Sequence, residues 1–160
     1  YKSGRTFSLT TDLWLFVSKE KICTIDDLEP DKNTEEIEVT QCGKYTINGK
    51  IFSIEKYTAQ KMPEFPKATE MKAYVSLPQN FVYTIRTRLH GDTIRPFGMD
   101  GTMKLKKLFI NKGVEKFARN DVILLCNGHE VLWAAGICLS EKLRAKTLPT
   151  HILSITQENK

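Results

Sequence analysis

Residues 86–109, RTRLHGDTIRPFGMDGTMKLKKLF, join a basic strand-like segment to a glycine-rich turn and then to an amphipathic segment. The stretch holds six basic residues against two acidic ones, together with three glycines and one proline. Glycine and proline keep the middle of the stretch out of regular structure. We therefore expect a strand, an irregular turn and a helix here, with positive charge concentrated around the turn.

The apolar residues after the turn predict the main helix. Leu105, Leu108 and Phe109 follow the i, i+3, i+4 spacing of one buried helix face, over about residues 102–112. Thr102 precedes them and is a favourable N-cap residue.

Short strand-like runs dominate the rest of the chain. Asn48-Gly49 and Asn127-Gly128 each lie between two such runs, which is a typical hairpin signal. Residues 114–120, VEKFARN, predict one or two further helical turns. The sequence therefore predicts a β-rich α+β fold of mostly antiparallel strands and hairpins, with one clear helix and a short second one.

Residues 26–36, DDLEPDKNTEE, form the best candidate for a linker, because they are acidic, contain a proline and lack apolar periodicity. We expect residues 1–28 to belong to a preceding unit and residues 29–160 to form a second one. The first residues show no initiating Met or signal segment, which favours a piece cut from a longer protein. No apolar run is long enough to cross a bilayer, so no membrane partner is expected.

The charge is uneven along the chain. Residues 1–80 hold 11 basic and 12 acidic residues, a net charge of −1, whereas residues 81–160 hold 13 and 7, a net of +6. A concentration of basic charge favours a polyanion or an anionic surface as partner.

The cysteines and histidines do not form a recognisable metal or catalytic motif. No two cysteines are at CxxC spacing and no histidine pair lies near them, so we expect no metal site. Buried, reduced thiols and a cytoplasmic setting are the expectation instead. Ser140-Glu141 has no histidine placed to activate the serine, so we expect no catalytic residue.

The basic stretch has features that suit phosphate binding. In FVYTIRTRL, residues 81–89, alternation places Arg86, Arg88 and His90 on one strand face, and the two arginines are about 6–7 Å apart, similar to successive phosphates. Lys104 in the first helical turn opposes the helix dipole and costs a few tenths of a kcal/mol unless an anion is bound, by the typical size of dipole effects. Simpler roles remain open: the lysines can solvate a surface, the arginines can pair with acids, and the glycines can shape a loop.

A longer ordered pattern then runs through residues 85–144. It reads R-x-R-x-x-G-D-x-x-x-P-x-G-x-x-G, then K-L-K near a Phe, an Arg, a strand pair with a Trp, and G-x-x-x-S-E. It is carried by Arg86, Arg88, Gly91-Asp92, Pro96, Gly98, Gly101, Lys104-Leu105-Lys106, Phe109, Arg119, Trp133, Gly136 and Ser140-Glu141. This segment resembles the C-terminal domain of the tRNA(Ile)-lysidine synthase family. Glu115, Asn120 and Ile123 depart from residues common in that family, outside the basic turn.

The resemblance implies a function. The full enzymes of this family use ATP, with Mg, and lysine to convert the wobble cytidine of an isoleucine tRNA with a CAU anticodon to lysidine. Their N-terminal catalytic domain carries an SGGxDS nucleotide loop, which these 160 residues lack. The C-terminal domain is the part that grips the tRNA body, particularly the acceptor stem. The resemblance thus implies that residues 1–28 end a preceding substrate- or tRNA-binding region and that residues 29–160 form the C-terminal tRNA-binding domain. The resemblance therefore implies a tRNA-binding piece of a ligase that needs no cofactor of its own, does no chemistry alone and works with its own N-terminal domain.

The residues expected to contact RNA are Arg86, Arg88, Arg95, Lys104, Lys106, Lys107 and Arg119. Those expected to let the backbone approach phosphate are Gly91, Gly98, Gly101 and Thr102. Two alternatives stay open at this point. One is a protein-interaction or homodimerisation module with a basic surface, and the other is a small enzyme that binds a phosphate ligand at the helix entry with His90 as its base.

Overall fold

The computed structural model describes three strands near the N-terminus and the whole of residues 35–158. The three strands are β1 (Gly4–Ser8), β2 (Trp14–Ser18) and β3 (Ile22–Thr24), and they form an antiparallel sheet in the order β1-β2-β3. The domain boundary predicted between residues 28 and 29, and most of the predicted linker, lie outside the described residues.

Residues 35–158 contain eleven strands, one α-helix and two short 3-10 helices. In chain order the regular elements are β4 (Ile37–Val39), β5 (Gly43–Ile47), β6 (Lys50–Lys56), β7 (Lys72–Val75), β8 (Tyr83–Arg86), β9 (Thr93–Ile94), β10 (Met103–Lys104), α1 (Leu105–Asn111), a 3-10 helix (Lys116–Asp121), β11 (Leu124–Asn127), β12 (Glu130–Ala134), β13 (Cys138–Leu139), a 3-10 helix (Glu141–Leu143) and β14 (His151–Gln157).

The strands form two sheets. A four-stranded antiparallel sheet has the order β5-β6-β14-β7. A seven-stranded sheet has the order β10-β9-β12-β11-β8-β4, with β13 paired to β12. All the pairings in this second sheet are antiparallel except that of β9 with β12, which is parallel. The predicted β-rich α+β fold with mostly antiparallel strands is therefore confirmed.

Both predicted hairpins are present. Asn48 and Gly49 connect β5 to β6 with φ values of 50° and 74°, the left-handed pair that a type I′ turn requires. Residues 128–129 connect β11 to β12, where Gly128 has a φ of 60° and the strand register shifts between Leu125 and Cys126. Local turn chemistry thus fixes both connections.

The two sheets share one hydrophobic core. Ile54 and Leu153 of the four-stranded sheet belong to the same buried cluster as Leu125 of the seven-stranded sheet. Phe52 and Trp133 meet edge to face within it, with ring centroids 5.6 Å apart. Trp133 is therefore a core residue.

Helix α1 covers the seven-stranded sheet on the face away from this core. Leu105, Leu108 and Phe109 pack with Leu124 and Cys126, whereas the intervening β11 residue belongs to the inter-sheet core. Alternate residues of β11 thus face opposite layers, as strand geometry requires. The buried helix face predicted from the sequence is confirmed. Among the described residues, no helix is long and apolar enough to span a membrane.

Two sequence predictions about element boundaries are wrong. Helix α1 begins at Leu105 rather than near Thr102, because Met103 and Lys104 pair with β9 as the short strand β10. Strand β8 ends at Arg86, so Arg88 and His90 lie beyond it and the predicted alternation of Arg86, Arg88 and His90 on one strand face does not hold. The predicted short second helix is present as the 3-10 helix over 116–121.

Candidate nucleic-acid interface

The basic turn lies between β9 and β10. Gly91 has a φ of 90°, which allows the chain to reverse after β8. Strand β9 follows, and β10 pairs back onto it, so residues 95–102 form the loop of an irregular hairpin. The backbone N–H of Leu105, the first residue of α1, donates to the carbonyl oxygen of Asp92 at 2.9 Å. Turn and helix are therefore attached to each other at their bases.

Arg86, which was predicted to contact RNA, does not lie on the surface. Its side chain is 3% exposed and donates two hydrogen bonds of 2.8 Å to the carboxylate of Asp92. It also donates to the carbonyl oxygens of Gly128 and Thr87. Burial is the largest single effect and opposes the charge of Arg86, but the hydrogen bond with Asp92 and the electrostatic attraction of nearby groups together outweigh it, so the pKa of Arg86 is raised. The ion-pair alternative kept open from the sequence is the one the geometry supports for this residue.

The structural role of Asp92 was not predicted from the sequence. Besides the pair with Arg86, its carboxylate accepts the backbone N–H of Leu89 at 2.7 Å and lies 3.1 Å from Nδ1 of His129. Its position one residue after the predicted turn was visible in the sequence. Its burial was not, because the partners come from β8 and from the β11–β12 hairpin.

Arg88 and Arg119 each hydrogen-bond to the segment over residues 114–120. Nε of Arg88 donates to Oδ1 of Asn120 at 2.7 Å, and Nε of Arg119 donates to the carbonyl oxygen of Val114 at 3.1 Å. Arg119 is only 8% exposed, and burial, with a smaller effect of nearby Arg88, lowers its pKa. The geometry assigns Arg119 to packing, and its predicted RNA contact lacks the exposure it requires.

The remaining predicted cations lie on the surface. Lys104, Lys106 and Lys107 are exposed, and we call them the lysine ridge. Arg95 is half-buried, and its Nε donates to the carbonyl oxygen of Met99 at 3.0 Å. Oδ1 of the exposed Asp100 lies 3.9 Å from Nη2 of Arg95. The structure thus brings the lysine ridge and Arg95 to the same turn and helix. It separates them from Arg86 and Arg119, which are buried.

The glycine positions differ from expectation. Gly98 has a φ of 79°, and its N–H donates to Oε2 of Glu141 at 2.6 Å, so this N–H is engaged within the protein. Gly101 does not have a left-handed φ, and a Cβ placed there meets no atom within 4 Å. Thr102 does not cap α1, whose N-cap residue Lys104 makes no side-chain hydrogen bond. The Gly98 N–H is therefore already used within the protein, and the approach of phosphate to the backbone at Gly91, Gly98, Gly101 and Thr102 stays a prediction.

Glu141 fastens the turn from outside. Besides accepting from Gly98, it pairs with Arg144 at 3.2 Å, and its own N–H donates to the carbonyl oxygen of Arg95. The hydrogen bond from the Gly98 backbone, with that from Arg144, lowers the pKa of Glu141. Glu141 thus pairs locally with Arg144 and also reaches the distant turn.

The described cysteines and acids do not form a metal centre. Cys126 and Cys138 are buried free thiols and Cys42 is half-buried. Among the residues that the structure describes, no group of three or more His, Cys, Asp or Glu side chains is placed to hold a metal ion.

Comparison with known proteins gives concordant similarities. Residues 83–153 match the family model described as the TilS substrate C-terminal domain. The tRNA(Ile)-lysidine synthase of Clostridium acetobutylicum is 40% identical over 75 residues, which are 47% of this chain and 16% of that protein. That of Clostridium tetani is 30% identical over 128 residues, 79% of this chain and 27% of that protein. The chain thus spans less than a third of the length of these curated relatives.

One solved structure shares the fold. The crystal structure of a TILS C-terminal domain superposes with a TM-score of 0.59 at 20% identity, covering 80% of this chain and 100% of that chain.

Proposed function

Because residues 83–153 belong to the family of TilS substrate C-terminal domains, we propose that this chain is the tRNA-binding C-terminal part of a tRNA(Ile)-lysidine synthase. In this proposal it holds the tRNA body at the acceptor stem. The tRNA is the isoleucine tRNA with the CAU anticodon. A catalytic domain outside these residues, working in the cytoplasm, uses ATP, Mg and lysine to modify the wobble cytidine.

The observation that carries the proposal is the exposed lysine ridge within the matched segment. Lys104 and Lys106 lie on adjoining short elements, and neither has an acidic partner within 4 Å in the described part of the chain. An A-form stem is recognised mainly by its shape, its phosphates and its 2′-hydroxyls. Exposed lysines on a rigid support suit that recognition because they place charge without demanding base contacts.

The support under the ridge is well fixed. Leu105, Leu108 and Phe109 anchor α1 in the core, and the Arg86–Asp92 pair lies beneath the turn. In this proposal the buried Arg86 contributes to RNA binding by positioning the surface that carries the lysines.

The test is a titration with the isoleucine tRNA at several salt concentrations. The variant is the double substitution Lys104→Ala and Lys106→Ala. The matched control is Lys44→Ala with Lys56→Ala, which removes the same charge from exposed positions on the four-stranded sheet. Each lost phosphate contact should flatten the plot of log affinity against log salt by about 0.7–0.9 units.

We expect the ridge variant to bind more weakly, with a slope reduced by roughly one to two units, and the control to match the parent chain. Equal slopes and affinities in all three proteins would contradict the proposal, because the lysines of the ridge would then only solvate the surface. A parent chain with no salt-dependent affinity for tRNA would favour the protein-interaction alternative instead.

A further inference from the structure

A groove of about 770 Å³ lies between residues 65–74 and residues 96–112. One wall is formed by residues 65–68 and β7, and the other by the 96–99 turn and α1. Its volume falls within the range of about 300–1,000 Å³ found for ligand sites in proteins. Segments distant in the sequence therefore build a concave surface beside the lysine ridge.

The groove is positively charged. Lys67 and Lys72 lie on one wall and Lys107 and Lys112 on the other, and all four are exposed. No Asp or Glu is among the residues that line it. Walls of a single charge attract an oppositely charged ligand, so the groove is complementary to an anion with several charges.

Exposed rings accompany the lysines. Phe65 is 47% exposed and Phe97 is 51% exposed, although both line the groove. The guanidinium of Arg144 stacks on Phe97 at 4.9 Å from the ring centroid, and Phe65 meets Tyr74 edge to face at 6.0 Å. Both rings are thus held in place while half of their surface stays open to solvent.

We propose that this groove binds an unpaired segment of RNA, with bases stacked on Phe65 and Phe97 and phosphates paired with the lysines. The proposal rests on the tRNA-binding function proposed above and adds a distinct site for single-stranded nucleotides. Base stacking on aromatic side chains together with a basic track is the general means of binding single strands. A base-paired stem hides its base faces, so the exposed rings serve only unpaired nucleotides.

An adjoining depression indicates which wall of the groove the phosphates of the bound strand follow. It holds about 370 Å³, shares Phe65 and Lys67 with the groove, and contains Glu64 and Glu70. Oε1 of Glu70 accepts the backbone N–H of Lys67 at 3.2 Å. Carboxylates repel phosphates, so the backbone of the strand should follow the side of the groove formed by α1.

The test uses the full 160-residue chain and three fluorescent probes: a single-stranded oligoadenylate hexanucleotide, an abasic strand of the same length and charge, and a blunt RNA duplex. Phe97→Leu removes the ring and keeps an apolar side chain, whereas Phe97→Trp keeps a ring. Phe65→Leu is the parallel variant on the other wall. Thermal unfolding checks that each variant is folded.

We expect the oligoadenylate to bind more tightly than the abasic strand. Phe97→Leu and Phe65→Leu should each weaken that binding by at least about fivefold, from the usual contribution of one stacked base. Phe97→Trp should retain it, and duplex binding should be unchanged in all three variants. Lys104→Ala with Lys106→Ala should show the opposite pattern, since neither lysine lines the groove.

Equal affinity for the abasic strand, or unchanged oligoadenylate binding in both leucine variants, would overturn the proposal, because the rings would then contribute nothing. Duplex binding without any oligoadenylate binding would also overturn it and leave the proposed function standing. If the parent chain bound none of the probes and no tRNA, both this proposal and the proposed tRNA-binding function would be contradicted.

Discussion

The guanidinium of Arg86 and the carboxylate of Asp92 form a bidentate ion pair, with two N–O distances of 2.8 Å and side-chain exposures of 3% and 1%. The same guanidinium reaches the carbonyl oxygen of Gly128 at 2.8 Å. The pair therefore joins the end of β8, the turn before β9 and the β11–β12 hairpin. Arg86, which the sequence predicted as an RNA contact, therefore forms a buried ion pair that connects these three segments.

Asp92→Asn should destabilise the chain by about 3–5 kcal/mol, because it leaves the buried guanidinium of Arg86 without a counter-charge. The matched control is Asp100→Asn, which removes an exposed carboxylate 3.9 Å from Arg95 and should cost less than about 0.5 kcal/mol. Urea unfolding of both variants measures the difference. Similar losses in the two variants would show that the buried pair contributes no more than the surface one.

Gly98→Ala should cost about 1–2 kcal/mol, because the φ of 79° is unfavourable for a residue with a Cβ even though the surrounding space is open. Gly101→Ala, three residues further on, should be neutral or slightly stabilising, because its φ is not left-handed and no atom obstructs a Cβ. Thermal unfolding of the two variants tests the pair. A larger loss at Gly101 would contradict this ranking.

The contact between Glu141 and Gly98 should be lost in acid. The pKa of Glu141 is lowered in the folded chain, so its contribution is present above the ordinary glutamate value of about 4.3 and is lost as the pH falls through the lower folded value. The amide proton of Gly98, followed by NMR, should titrate with a midpoint below that value. Glu141→Gln should abolish the transition, and a midpoint at or above the ordinary value would refute the contact.

Cys126 should resist alkylation until the chain unfolds. Burial raises its pKa to about 12, so almost none of the reactive thiolate is present at pH 8. Cys42 is half-buried and should react before Cys126. Site-resolved mass spectrometry after labelling at increasing urea should show Cys126 modified only in parallel with global unfolding. Early modification of Cys126 in the native chain would contradict its burial.

The sequence alone determined those features that depend on neighbouring residues. Asn48-Gly49 specified a hairpin because two consecutive left-handed residues are needed there, and the spacing of Leu105, Leu108 and Phe109 specified the buried face of α1. The ordered pattern over residues 85–144 also revealed the resemblance that agrees with the family-model match over residues 83–153, since such a pattern needs no knowledge of contacts.

Only the tertiary structure decided which charged residues are exposed. Alternation along residues 81–89 could not show that β8 has a strand on each side, nor that Asp92 turns back to meet Arg86. The start of α1 moved to Leu105 because Met103 and Lys104 pair with β9. The groove joins residues 65–72 to 96–112, which share no local pattern. The physical reason is the same in each case: burial and pairing depend on distant segments brought together by the common core, and this information is absent from any short stretch.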